Sequence, residues 1–171
     1  MIRLVKPSIK YRASFLEAQK EFEKEGRGEE AFKKLNNDFP AFIKMLRNQE
    51  KGKDLPKGYV PASVYWLVDG SKFIGKVSIR HKLTPVLRNY GGHIGYEIRP
   101  SERKKGYGTK ILALSLEESK KLGLKKILIT CNETNIGSKK IIEKNGGIFK
   151  NKIKADSVDK GRITLRYWIN I

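Results

Sequence analysis

The chain has 171 residues, 39% apolar and 9% aromatic, which is enough to bury one sizeable core and too short to call for a second domain. Charged residues make up 32% but are interleaved with regularly spaced apolar ones, which excludes a disordered chain, and a single cysteine, Cys131, excludes an internal disulfide. The 37 Lys and Arg outnumber the 18 Asp and Glu by 19, unevenly: residues 1–60 hold 14 basic and 9 acidic groups, residues 61–171 hold 23 and 9, so an anionic partner is expected in the second half.

The opening segment Met1–Pro7 has no hydrophobic signal core, and the longest apolar run, Val64–Val68, is about five residues, far short of a membrane span. A cytoplasmic protein without membrane contact is expected, as a monomer or homodimer, with Cys131 as a reduced thiol. Arg3–Val5 reads as a short strand. After Ser8, Phe15, Leu16, Gln19 and Phe22 recur at helical spacing until Gly26. A second helical pattern runs from Glu29 to Arg47 through Phe32, Leu35, Phe39, Phe42, Ile43 and Leu46, with Pro40 set to divide it. Gln49–Gly58 is a hydrophilic connection. Ala62–Val68 and Phe73–Ile79 flank Asp69-Gly70, the mark of an antiparallel hairpin. Leu83–Asn89 reads as a loop, and His93–Arg99 as a strand closed by Pro100.

The period then changes. Tyr107, Ile111, Leu112, Leu114, Ser115 and Leu122 share one side of a helix ended by Gly123, and Lys126–Cys131 is a short buried strand. A helix from Asn135 to Lys144 and strands at 148–154 and 163–169 complete the chain. The order β-α-α-β-β-β-α-β-α-β-β implies a mixed sheet covered by helices. Within it, the strand at 93–99, the helix at 107–122 and the strand at 126–131 form a β-α-β unit. Its two strands should pair in parallel, with a ligand at the helix N-terminus.

At that junction stands Arg103-Lys104-Lys105-Gly106-Tyr107-Gly108-Thr109. The glycines let the main chain turn its N–H groups inward, and the following helix adds unpaired donors and a positive dipole end. This suits a pyrophosphate, with Arg103, Lys104, Lys105 and Lys110 supplying charge. It matches neither the dinucleotide fingerprint nor the P-loop. Taken with the strand Gly95-Tyr96-Glu97-Ile98-Arg99-Pro100 before it, and with Asn135-x-x-Ser138 before Gly146-Gly147 after it, the segment resembles the acetyl-CoA-binding core of the GNAT family of N-acetyltransferases.

The resemblance implies an α/β (α+β) fold with a mixed, mostly antiparallel sheet, helices on both faces and splayed central strands. It further implies acetyl-CoA as cosubstrate, no metal, and an amine-bearing small molecule or protein as acceptor. Backbone at Glu97, Ile98 and Arg99 would pair with pantetheine, the loop from Arg103 through Lys104, Lys105, Gly106, Tyr107 and Gly108 to Thr109 would hold the pyrophosphate, and Asn135 with Ser138 would meet the cofactor arm. Asn135 also suits a helix cap.

Acetyl transfer needs a neutral amine and a proton for the departing thiolate. The family's usual tyrosine falls at Ile142, which can donate nothing; water, Cys131, Tyr96 or Tyr107 remain as sources. For the base, alternation puts His93 and Glu97 on one strand face with Gly95 leaving room between them, ahead of His81. The other reading of the charge is a non-catalytic nucleic-acid- or ribosome-binding module, for which no aromatic and basic surface pattern is present.

Overall fold

The computed structural model describes residues 1–154 and 161–171. Four strands, β1 (Ile2–Val5), β2 (Ala62–Asp69), β3 (Lys72–Arg80) and β4 (Ile94–Ile98), form an antiparallel sheet in that order. A second antiparallel sheet has β5 (Lys126–Asn132), β7 (Ile163–Asn170) and β6 (Ile148–Lys154), with β7 in the middle. Among the described residues five α-helices accompany them: α1 (Arg12–Lys24), α2 (Glu30–Lys34), α3 (Phe39–Glu50), α4 (Tyr107–Lys121) and α5 (Ile136–Lys144).

The run from Val64 to Val68 is apolar on both faces because the first sheet is covered on both. Trp66 and Val68 point to the layer of α1–α3, where Phe15, Phe22, Phe32, Phe39, Phe42 and Phe73 close around the indole. Phe15 stacks on Trp66 at 4.9 Å and meets Phe32 and Phe73 edge-on, contacts worth roughly 1 kcal/mol each beyond area burial. Tyr65 and Leu67 point the other way, into a core shared with Ile111 and Leu112 of α4, Ile142 of α5 and Ile127, Ile129 and Tyr167 of the second sheet. β6 is the outer strand of that sheet and is exposed along nearly its whole length.

Pro40 begins a helix rather than breaking one. It sits in the first turn of α3, where its missing N–H costs nothing, after Asn36 and Asn37 take left-handed φ values of 52° and 60° and Asp38 caps the Ala41 N–H at 3.0 Å. The expected loop at 83–89 ends in a single wide helical turn over Leu87–Gly91.

The parallel pairing of the strand at 93–99 with that at 126–131 does not form as a ladder. β4 and β5 belong to separate sheets. They meet at one end only, where the His93 N–H donates to Leu128 O at 2.7 Å and the Leu128 N–H donates to His93 Nδ1 at 2.9 Å. Beyond this double link the strands part, leaving a slot.

Candidate active site

The phosphate loop follows from local rules. Gly106, at φ 82°, turns the chain into α4, in a conformation that costs other residues about 1–2 kcal/mol; a Cβ there would meet nothing within 4 Å. The Lys110 N–H donates to Gly106 O at 3.2 Å. Among the described residues, the N–H groups from Lys104 to Thr109 have no partner, so they are available to an anion. Gly108 serves packing instead. A Cβ on it would stand 2.5 Å from Ile141 Cδ1, so the bare glycine leaves room for the end of that side chain.

Half of the cations expected to surround the phosphates are already engaged. Arg103 makes a two-pronged pair with Glu25 of α1 at 2.7 and 2.8 Å and donates Nε to Ile98 O at 3.2 Å. Lys105 pairs at 3.1 Å with the buried Glu102, which also holds Lys72. Lys104 and Lys110 remain exposed and, among the described residues, without a carboxylate. Arg99 is buried and turned to α1, donating to Glu21 at 2.7 Å and Ser14 at 3.2 Å. Burial works to raise the Glu21 carboxyl, yet the hydrogen bonds from Arg99 and Ser101 prevail and bring it down to about 2.

The backbone of β4 differs from the expected pantetheine pairing at Glu97 and Arg99. The Arg99 N–H goes to Ile74 O of β3 at 2.8 Å, so alternation spends the main-chain groups of 97 and 99 on β3 and turns those of Tyr96 and Ile98 toward the slot. Arg99 therefore offers no backbone donor to a ligand there.

Side chains from three elements meet at the slot on the α4–α5 side. The Tyr96 hydroxyl lies 3.2 Å from Ser138 Oγ, and the buried Cys131 of β5 belongs to the core against which Tyr96 packs. Burial pushes both the Tyr96 hydroxyl and the Cys131 thiol up. Asn135 caps α5, its Oδ1 accepting the Ser138 N–H at 2.9 Å, which leaves its NH₂ hydrogens for another acceptor. Ile142 is fully buried in the core.

On the opposite face of β4 lies a cleft of about 920 Å³. Its floor is the side-chain row Lys76, Ser78 and Arg80 of β3 beside Gly95 and Glu97 of β4; its roof is α2, α3 and the segment 53–59. Glu97 accepts from Arg27 at 2.7 Å and lies 3.2 Å from Lys76, which also pairs with Glu29. The room expected over Gly95 is filled: the Arg80 guanidinium nitrogens lie 3.8 Å from where its Cβ would be.

His93 does not line this cleft. Its ring faces β5 and the edge of Trp168 at 6.4 Å. Since Nδ1 accepts from Leu128, a neutral ring carries its proton on Nε2 and presents no free lone pair. Burial and the nearby Arg88 and Arg80 lower its pKa. His81 is outside the cleft as well, with Nε2 2.9 Å from Ser63 Oγ in a network that includes Glu50 and Lys6. Among the described residues, no cluster of His, Cys, Asp and Glu could hold a metal, and no helix is long and apolar enough to cross a membrane.

The model of the acetyltransferase (GNAT) domain matches residues 20–148, more than half of the chain. The chain belongs to the GNAT family. This GNAT chain is therefore an acyltransferase that takes its acetyl group from acetyl-CoA, which displaces the reading of a non-catalytic nucleic-acid-binding module. Its fold is shared with Mycobacterium smegmatis RimJ in complex with CoA-disulfide, at TM-score 0.72 and 18% identity over 99% of this chain and 81% of that one. A Salmonella typhimurium acetyltransferase described as modifying the N-terminal serine of ribosomal protein L7/L12 gives 0.66 and 16%, over 99% and 95%. The microcin C7 self-immunity acetyltransferase MccE, in complex with acetyl-CoA and AMP, gives 0.65 and 19%, over 99% and 92%. No curated protein matches the sequence.

Sequence reasoning missed the anchoring of the phosphate loop to α1, although Glu17, Glu21 and Glu25 stand at four-residue spacing, a signal of one acidic helix face. It also missed Arg80, for which a cation at a strand end gave no signal.

Proposed function

We propose that this enzyme acetylates the N-terminal amine of a protein, with acetyl-CoA in the slot between β4 and β5 and the acceptor in the cleft on the other side of β4. The observation that carries the reading is that Tyr96 and Glu97 are consecutive residues aimed at opposite sides of the same strand, one toward Ser138 and one into the cleft. The free N–H groups from Lys104 to Thr109, the open space at Gly106 and the unpaired edge of β4 fit a pyrophosphate followed by an extended arm. Main-chain groups of Tyr96 and Ile98 would pair with that arm, the Asn135 amide and Ser138 would meet it from α5, and Lys104 and Lys110 would add charge.

Acetyl-CoA supplies a thioester whose carbonyl carbon the neutral amine attacks. Glu97 receives the proton the amine must shed, directly or through water, while Lys76 and Arg27 keep its carboxylate in place. Tyr96 gives a proton to the departing sulfur, with Ser138 orienting the phenol, so the pair takes over from the tyrosine absent at 142. His93 acts as a positioning residue that closes one end of the slot. A cytoplasmic setting follows from this reading, since acetyl-CoA and a reduced Cys131 coexist there. The positive charge suits a ribosome-associated acceptor; the Salmonella relative's described substrate, a ribosomal protein N-terminus, and a cleft large enough for several residues support the N-terminal amine.

CoA release with matched peptides tests this. A peptide with a free N-terminus should be acetylated and its N-blocked, lysine-bearing counterpart should not; acetylation confined to lysine, or to small polyamines, overturns the reading. Tyr96→Phe should lower kcat about a hundredfold with little change in the KM for acetyl-CoA.

A further inference from the structure

We infer that Arg80 reads an oxyanion on the acceptor, namely the side-chain carboxylate of an Asp or Glu within the first two or three residues of an acidic protein N-terminus. The inference rests on the N-terminal reading above and adds to it the acceptor's chemistry.

Nearly all the charge at the centre of the cleft is internally matched. Lys76 lies between Glu29 and Glu97, and Arg27 covers the outer side of Glu97. Arg80 is the exception. It is partly buried, and among the described residues no carboxylate lies within 4.0 Å of it; its two hydrogen bonds, both from Nη1 at 3.1 Å, go to the neutral carbonyls of Gly91 and Gly92. Burial alone pulls its pKa down, with no opposing anion to restore it. A guanidinium has five N–H donors in a fixed fork; among the described residues Nη2 and Nε have no hydrogen-bond partner, and Nη2 lies 3.8 Å from where a Gly95 Cβ would stand, in the wall of the cleft.

The two carbonyls that orient it are themselves rigidly placed. Gly92 has φ 63°, and a Cβ on it would stand 2.5 Å from Leu128 O, so only glycine fits a corner pressed this closely against β5. The molecule thus aims a cation whose charge it leaves unmatched. Arg80 is beside Gly95, two residues along β4 from Glu97, roughly 6–7 Å at the rise of a strand. That is the reach from an α-amine to an acidic side chain one or two residues on. Further out, Lys34, Lys44 and Lys53 line the roof without ion-pair partners among the described residues, so a longer acidic stretch meets more positive charge.

Two peptides differing only by Asp or Asn at positions 2 and 3 decide the matter in the full-length enzyme. Wild type should favour the Asp peptide in kcat/KM by tenfold to a hundredfold, mostly through KM, as expected for one charge-assisted hydrogen-bonded pair. Arg80→Gln should bring the ratio near one. Arg80→Lys, which keeps the charge but loses the fork, should fall between. An undiminished ratio in Arg80→Gln, or no preference in wild type, overturns the inference. Binding of the N-acetylated Asp peptide, measured by calorimetry with wild type and with both variants, reads the anion site without turnover: it survives a failure of the N-terminal reading, and equal affinity for Asp and Asn peptides in wild type again overturns it. CoA titration of each variant shows that the fold is intact.

Discussion

Gly106 and Gly108 are one residue apart and serve different ends, which single substitutions separate. Gly106→Ala meets no neighbour and should cost about 1 kcal/mol through its left-handed φ alone, while Gly106→Glu should raise the KM for acetyl-CoA more than tenfold by placing a carboxylate in the cradle. Gly108→Ala need only move the end of the Ile141 side chain and gains helix propensity within α4, so its melting stability should change by less than about 1 kcal/mol. Glu21 gives a pH-dependent counterpart. Its folded pKa, about 2 against an ordinary 4.5, means that its stabilisation is complete above pH 4.5 and fades as the pH falls toward 2. The carboxyl keeps some solvent contact, so about 1 kcal/mol is expected, and Glu21→Gln should flatten the acid limb of thermal melting by that amount.

At the level of elements, His93 ties the start of β4 to β5 at one end of the slot. His93→Ala removes the acceptor for the buried Leu128 N–H and should cost about 1–3 kcal/mol; faster hydrogen exchange at Leu128 is the check. Because the folded His93 pKa lies below its ordinary value, the unfolded chain takes a proton first as the pH drops through 6.5, so stability falls below that pH. Most elements were legible in the sequence because apolar periodicity is local: the hairpin at Asp69-Gly70, the period change at Tyr107 and the Asn135 cap all rest on neighbours within a few residues. The split between β4 and β5 was not, since a strand's apolar pattern says which face is buried and not which edge is bonded. Nor could the fate of Arg103 be read, as its partner Glu25 is 78 positions away, and a cation beside two glycines resembles a phosphate ligand until α1 is folded against it.

Across the whole molecule, a net charge of +19 acts at longer range than any single contact. Approach of an acidic acceptor should be steered, so kcat/KM for the Asp peptide should drop several-fold between about 50 and 500 mM salt while that for the Asn peptide changes little. Equal salt slopes for the two peptides would refute steering by charge.

With β4 and β5 joined at a single point, the two sheets are independent hydrogen-bonded bodies sharing one apolar core. An acetyl-CoA arm lying along the open edge of β4 would act as a strand the chain itself does not encode. Folding cooperativity then becomes a property of the loaded protein: without cosubstrate the β5–β7 sheet should lose its exchange protection at lower denaturant than the β1–β4 sheet, and saturation with CoA should merge the two transitions into one, raising stability by about 2.7 kcal/mol at a hundred times Kd.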